Sequence, residues 1–220
     1  MSALSHAAPA PRMPRNQVLQ GDCITHMAGL PEHSVDFILT DPPYLVNYRS
    51  RSGDRVANDN HADWLYPAFA QMHRLLKPGG LCVSFYGWPR VDLFMQAWRA
   101  AGLRPVGHLV FCKHYASSRG FLRYQHEQAY LLAKGPATPP AMPIPDVIAF
   151  PYSGNRLHPT QKPVAALTPL IESFTQSGDL VLDPFCGSGS TLVAAQMLGR
   201  DWLGIELDGD HCQTARQRMR

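Results

Sequence analysis

Two short motifs in this chain place reactive groups where an apolar strand ends. Asp41-Pro42-Pro43-Tyr44 follows the apolar run 35–39, and Asp183-Pro184-Phe185-Cys186-Gly187-Ser188-Gly189 follows the run 180–182. Open α/β sheets bind their ligands at the carboxyl ends of strands. The first motif offers an acid, two imide carbonyls and an aromatic face. The second offers glycines at a strand-to-helix turn. Together they describe a site holding a flat, amine-bearing ring next to a nucleotide-like cofactor.

The exocyclic amine of adenine or cytosine is a poor nucleophile, because its lone pair is delocalised into the ring. Acceptors aimed at both N–H groups turn it toward tetrahedral geometry. The Asp41 carboxylate can supply one and a backbone carbonyl, that of Pro42, the other, held rigid by Pro42 and Pro43. Tyr44 can stack on the ring, an interaction worth roughly 1–3 kcal/mol per base. A paired base must first leave the duplex. Methyl transfer to it is then a direct in-line displacement, in which positioning supplies much of the acceleration. The chain has no Pro-Cys nucleophile motif, so no covalent enzyme intermediate is required. The plain alternative for Asp-Pro-Pro is a strand-ending turn.

In the second motif the glycines permit close approach of backbone to ligand, and a helix N-terminus follows. A lone Gly-x-Gly is common in turns. Phe185 adds an aromatic wall, and Glu206 ends the next strand near the ~20-residue offset at which an acid meets ribose hydroxyls. Asp183 puts a carboxylate beside the ligand, which suits a cation better than a pyrophosphate. A sulfonium nucleoside such as S-adenosylmethionine is therefore favoured over a dinucleotide. Cys186 has no base near it in sequence and reads as a packing thiol.

The elements that must position these motifs alternate between strand and helix. Strands are predicted at 17–20, 35–40, 81–86, 106–113, 127–134, 180–182 and 202–206, with 106–113 and 127–134 forming a hairpin. Helices are predicted at 23–30, from a cap at Asp63 to Leu76, at 89–101, after Pro163 with an apolar face from Val164 to Phe174, at 190–198 and at 211–219. Lys77-Pro78-Gly79-Gly80 stops the second helix. Pro169 predicts a kink or a late start in the fourth. Residues 45–62 are polar and read as a long mobile loop; residues 135–155 are proline-dense and irregular. The pattern is that of a doubly wound α/β fold with a mostly parallel sheet. Residues 1–16 read as a disordered leader, leaving 17–220 as a single domain.

The 220 residues suffice for one full core, and 45% of them are hydrophobic. No run approaches the ~20 apolar residues of a membrane span, and the N-terminus lacks the apolar block of a signal peptide. Five scattered cysteines without a CxxC pair argue for free thiols in a reducing cytoplasm and against a zinc site. The net charge of +3 is unevenly spread. Between Leu93 and His126 there is no Asp or Glu, while Arg99, Arg104, Lys113, Arg119 and Arg123 fall there among Phe111, Tyr115, Phe121 and Tyr124. Such interleaving suits a surface that meets phosphates and bases, or, more plainly, a solvated face beside core aromatics.

These residues resemble the amino-methyltransferase family that modifies DNA at adenine N6 or cytosine N4. The likeness rests on Asp41-Pro42-Pro43-Tyr44, His158-Pro159-Thr160-Gln161-Lys162-Pro163, the stretch from Asp183 to Thr191, and Gly204-Ile205-Glu206. It spans nearly all of the chain after the leader. With the tetrad ahead of the glycine loop, it resembles the circularly permuted β-type order. The resemblance implies a Rossmann-like, seven-stranded sheet with one reversed strand, and S-adenosyl-L-methionine as cofactor. It implies Asp41, Pro42, Pro43 and Tyr44 as catalytic residues. The cofactor would meet Asp22 and Cys23 after Gly21, and Asp183, Phe185, Gly187, Ser188, Gly189, Thr191 and Glu206. Its methionine end would meet His158, Thr160, Gln161 and Lys162, with Thr160 and Lys162 toward the carboxylate. Arg49, Arg51, Arg55, Lys113, Arg119 and Arg123 are expected to contact DNA, with residues 135–155 as a small target-recognition insert. Asp at the head of the tetrad leans toward adenine. A nucleoid-associated cytoplasmic location is also implied, while the resemblance leaves open both a homodimer and a cognate endonuclease of a restriction-modification pair. The rival readings are cytosine N4 or RNA as target, a catalytically silent DNA-binding relative, and a nicotinamide oxidoreductase.

Overall fold

The computed structural model describes residues 12–49, 53, 56–116, 118–154, 157 and 160–220. Along the chain run β1 (Gln17–Gln20), α1 (Cys23–Ala28), β2 (Val35–Thr40), α2 (Leu65–Leu75), β3 (Leu76–Phe85), a 3-10 turn (Trp88–Arg90) and α3 (Val91–Ala100). They are followed by β4 (Leu103–Cys112), β5 (Ser118–Arg119), β6 (Arg123–Tyr124), β7 (His126–Lys134), β8 (Val147–Ala149), α4 (Val164–Phe174), β9 (Leu180–Asp183), α5 (Ser190–Met197), β10 (Asp201–Glu206) and α6 (Gly209–Arg218).

Alternate residues of each central strand feed two separate cores, which is why these strands read as continuous apolar runs. Ile38, Leu182 and Leu203 pack with Met27, Phe69 and Trp98 of α1, α2 and α3. Phe37, Val181 and Trp202 pack on the other face with Leu170, Leu192 and Ala215 of α4, α5 and α6. The result is three layers, a sheet between two sets of helices.

Among the described residues the sheet has the order β1-β10-β9-β2-β3-β7-β4-β8. All neighbours are parallel except that β7 runs against both β3 and β4. The expected reversed strand is therefore β7. The eighth strand, β8, lies inside the segment read as irregular. It pairs with β4 through Val110↔Val147, and Phe150 donates its N–H to the Cys112 carbonyl at 2.8 Å. Three residues between prolines give no period to detect.

Other expectations shift in detail. Trp64, not Asp63, stands at the N-cap of α2, and no side chain caps it. Asp208 caps α6 by accepting from the N–H groups of Asp210 and His211, starting that helix two residues early. Pro169 lies within α4, which begins at Val164 rather than late. Asn16 accepts the Trp202 N–H and donates to Asp201, so the ordered domain takes in a residue assigned to the leader. Residues 1–11 lie outside the described ones.

The described parts of the loop after the tetrad are anchored rather than loose. Buried Asp59 accepts the N–H groups of Leu45 at 2.6 Å and Tyr48 at 2.6 Å, and Trp64 donates its indole N–H to the Asn58 carbonyl. Leu45 adopts a left-handed φ of 60°, a conformation a branched side chain tolerates only when its surroundings hold it. That strain sits directly after Tyr44, where the tetrad must change direction.

Candidate active site

The chain leaves β9 for β10 on one side and leaves β2 for β3 on the other, so the crevice between β9 and β2 is the topological switch point. These strands are parallel neighbours, with Phe37↔Val181 and Ile38↔Leu182 in register. Their carboxyl ends deliver Asp41 and Asp183 to one place. A single cavity is lined by Asp41, Thr160, Gln161, Lys162, Asp183, Phe185, Gly187, Ser188 and Thr191. Residues drawn from three distant stretches thus converge as the motifs required.

On the cofactor side, Glu206 at the end of β10 accepts the N–H of Gly187 at 2.8 Å and that of Asp208 at 2.8 Å. The acid thereby fixes the glycine turn, and burial raises its own carboxyl. Gly189 has φ of 82°, and a Cβ there would lie 3.2 Å from the Ala215 Cβ, so only glycine fits without strain. Asp183 is buried at 3% exposure; burial pushes its carboxyl up to about 7, against hydrogen bonds from Thr191 and the Phe185 N–H. Phe185 meets Trp64 edge-on at 5.2 Å. At the neighbouring strand end, Gly21 donates to the Glu206 carbonyl and Asp22 caps α1 by accepting from Thr25. Cys23 is buried and its thiol is raised to about 12, chiefly by burial. Burial likewise raises the Cys186 thiol well above its usual range, which fits a packing role.

On the tetrad side, Asp41 is engaged at both oxygens. Tyr44 donates its hydroxyl to Oδ1 at 2.8 Å, and Lys162 donates to Oδ2 at 2.6 Å. Glu127, at the start of β7, stands behind them. It lies 3.3 Å from the Lys162 ammonium, accepts from Tyr44 at 3.2 Å, and pairs with Lys113 at 2.7 Å. The Lys162 ammonium also sits 5.3 Å from the Tyr44 ring centre and 5.0 Å from that of Phe85. Burial drives the Asp41 carboxyl up, with Lys162 opposing and Glu127 assisting. Burial would do the same to Glu127, yet Lys162 and Lys113 hold it down at about 2. Lys162 is raised, because Asp41 and Glu127 outweigh its desolvation. Gly87 makes room for Tyr44: a Cβ there would fall 2.8 Å from both the Cβ and the carbonyl oxygen of Tyr44.

Several predicted roles change. Lys162 lines the shared cavity, but its ammonium pairs with two carboxylates of the tetrad cluster, a partnership that the sequence did not anticipate. Lys113 is buried against Glu127 and over the Phe150 ring at 5.3 Å, and is not a phosphate contact. The acid-free stretch does not make one basic face. Arg104 lies at the start of β4, whereas Arg123 lies beyond its far end. Arg49 and Arg123 are exposed, and Arg119 lies in β5. Arg51, Arg55 and His158 fall outside the described residues. The expected recognition insert is divided: Pro136, Thr138 and Pro140 line a pocket with Asp36 and Gly79 at the amino edge of the sheet, opposite Asp41. Sequence reasoning missed Glu127. Its signal was available, as the first carboxylate after the acid-free stretch, at the head of an apolar strand.

Comparison with known proteins decides the family. A model of the DNA methylase family matches residues 35–153 and 149–217. The chain belongs to that family. It is 54% identical over 204 residues to YubD of Escherichia coli (strain K12), covering 93% of this chain and 90% of that one. It is 27% identical over 244 residues to YhdJ of the same organism, named a DNA adenine methyltransferase, covering 92% and 82%. Among solved structures, the complex of M1.HpyAVI with S-adenosylmethionine superposes with a TM-score of 0.74 at 26% identity, covering 92% of this chain and 98% of that one. No helix among the described residues is long and apolar enough to cross a membrane.

Proposed function

We propose that this DNA methylase transfers a methyl group from S-adenosylmethionine to the exocyclic N6 of adenine in DNA. The supporting observation is the shared cleft, in which the tetrad carboxylate and the glycine turn face one another across the β9–β2 crevice. The glycine-turn side fits the cofactor. A buried carboxylate at Asp183 suits a sulfonium, and Gly187 and Gly189 bring backbone close without side chains. Arrangement of the tetrad strand early in the chain and of the central β9 late supports the permuted, β-type reading. The N6 choice is supported by Asp at the head of the tetrad and by the name of YhdJ.

The cofactor supplies a methyl group on a sulfonium, whose C–S electron pair stays with sulfur. The protein's residues do the remainder. The Tyr44 hydroxyl leaves Asp41 Oδ1, the incoming amine donates there and to the Pro42 carbonyl, and the Tyr44 ring covers the base. As the nitrogen lone pair forms the new N–C bond, the nitrogen becomes cationic and gives one proton to the Asp41 carboxylate. Expressing the chain in a host with unmodified DNA, alongside Asp41→Ala, tests the reading by sequencing that detects modified bases. One methylated adenine motif in the first host and none in the second is expected. Modified cytosine in place of adenine would shift the assignment to N4, and no modification would reject the reading.

The duplex would meet the carboxyl edge of the sheet. There the β5–β6 hairpin presents Phe121 and Leu122, 104% and 67% exposed, beside Arg123, while Tyr124 stacks on Trp88 at 6.2 Å. An apolar tip flanked by arginine suits insertion next to a base that leaves the stack. Phe121→Ala is expected to lower methylation of duplex DNA at least tenfold, yet to change methylation of heat-denatured DNA less than threefold, in a labelled-methyl assay. Equal losses on both would show that the tip does not assist base extrusion.

A further inference from the structure

Four charged side chains meet at the tetrad: Asp41 itself, Glu127, Lys162 and Lys113. Two carboxylates balance two ammoniums, as buried charges must. Lys162 and Lys113 are 6% and 9% exposed. The contacts run in a line: Lys113 to Glu127 at 2.7 Å, Glu127 to Lys162 at 3.3 Å, and Lys162 to Asp41 Oδ2 at 2.6 Å. Each comes from a different part of the chain, so the line is a product of the fold rather than of any one motif. Lys113 follows β4, Glu127 heads β7, Lys162 precedes α4, and Asp41 follows β2.

We propose that Lys162 is a positioning residue for methyl transfer, locked onto Asp41 by Glu127 and Lys113, so that Asp41 stays ionised with one particular oxygen left for the target amine. The inference rests on the reading of the tetrad given above. The two oxygens of Asp41 are not equivalent. Oδ2 is held by a buried ammonium, whereas Oδ1 is held by a neutral phenol whose hydroxyl also reaches Glu127 at 3.2 Å and can keep that partner when it leaves Oδ1. Oδ1 is the exchangeable acceptor, and the target amine replaces Tyr44 there. The groups facing Asp41 are Lys162, Glu127, Tyr44 and, across the crevice, Asp183. Lys162 is the cation among them, and it opposes the effects of burial and of Glu127. Glu127 faces Lys113, Lys162 and Tyr44, with Tyr115 near the same carboxylate. Its place is to hold the ammonium, not to take a proton, because two lysines keep it ionised.

The test is the pH dependence of the single-turnover rate of methyl transfer to DNA, with cofactor saturating so that Asp183 is paired. Removing a cation raises the pKa of a neighbouring carboxylate, and removing an anion lowers it. Lys162→Met is therefore expected to move the acid limb at least one pH unit upward, with a loss on that limb that shrinks as pH rises. Lys113→Met moves it the same way by less, Lys162→Arg returns it close to the parent, and Glu127→Gln moves it downward. S-adenosylhomocysteine affinity, measured by calorimetry, stays within threefold in all four. Opposite displacements by neighbouring substitutions would not arise from a general loss of packing. Glu127→Gln keeps the size of the side chain and reads the same network should the methionine variant fail to fold. An unmoved acid limb in both Lys162→Met and Glu127→Gln overturns the proposal. So does a tenfold loss of S-adenosylhomocysteine affinity in Lys162→Met with the limb in place, which would return Lys162 to the cofactor. If the parent protein transfers methyl groups and the limb does not move, the inference alone fails; a parent that transfers none removes the tetrad reading with it.

Discussion

Asp41→Ala should bind S-adenosylhomocysteine within about threefold of the parent protein while losing methyl transfer to DNA by a factor on the order of 10³ or more. The division follows from the geometry. Asp41 lies on β2's side of the crevice with Tyr44, Lys162 and Glu127, whereas the glycine turn is held from the other side by Glu206 through Gly187. Removing the carboxylate takes away the acceptor that turns the amine out of conjugation and the base that receives its proton. It leaves Lys162 paired with Glu127, so the ammonium is not stranded and the cleft can keep its shape. Calorimetry and a labelled-methyl assay on the same preparation read both halves. Parallel loss of binding and transfer would show that Asp41 acts through the cofactor side instead.

Asp183 should make cofactor binding depend on pH in a way that tells a cation from its neutral product. In the free protein burial pushes its carboxyl up to about 7. A sulfonium needs that carboxylate ionised, so S-adenosylmethionine affinity should fall by up to tenfold per pH unit as pH drops below about 7. S-adenosylhomocysteine, whose sulfur is uncharged, should show a much shallower dependence. Asp183→Asn should cost S-adenosylmethionine tenfold or more at pH 8 and flatten its pH profile. The same shift bears on stability. A carboxyl raised on folding favours the folded state below its unfolded pKa, and that contribution is lost as pH rises through about 7. The parent protein should therefore gain less from alkaline conditions than Asp183→Asn, whose melting-temperature advantage over the parent should be larger at pH 8 than at pH 5. Identical pH profiles for the two cofactor forms would contradict a sulfonium beside Asp183.

What the sequence made legible was the part written in local pattern. Period and punctuation place each central strand, and the positions of Asp41 and Asp183 at strand ends were enough to anticipate a shared crevice, since β2 and β9 are neighbours. What stayed hidden depends on contacts between residues far apart in the chain. Glu127 meets Tyr44 across 83 positions and Lys162 meets Asp41 across 121. Lys113 looked like a phosphate contact because a lysine among aromatics reads the same whether its ammonium points to solvent or to a buried carboxylate. Composition alone also misled about the proline-rich stretch after β7. That strand is the reversed one, so its exit lies at the amino edge, and Pro136 to Pro140 emerge away from the catalytic side. The hairpin between β4 and β7 emerges on the catalytic side for the same reason.

The most direct measurement is digestion of unmethylated DNA after incubation with the purified protein and methyl-labelled S-adenosylmethionine, with the nucleosides resolved by mass spectrometry. The expected product is labelled N6-methyldeoxyadenosine, absent when Asp41→Ala replaces the parent. DNA that carries no labelled methyl group after incubation with folded, cofactor-binding protein would contradict a transfer site built from these two strand ends.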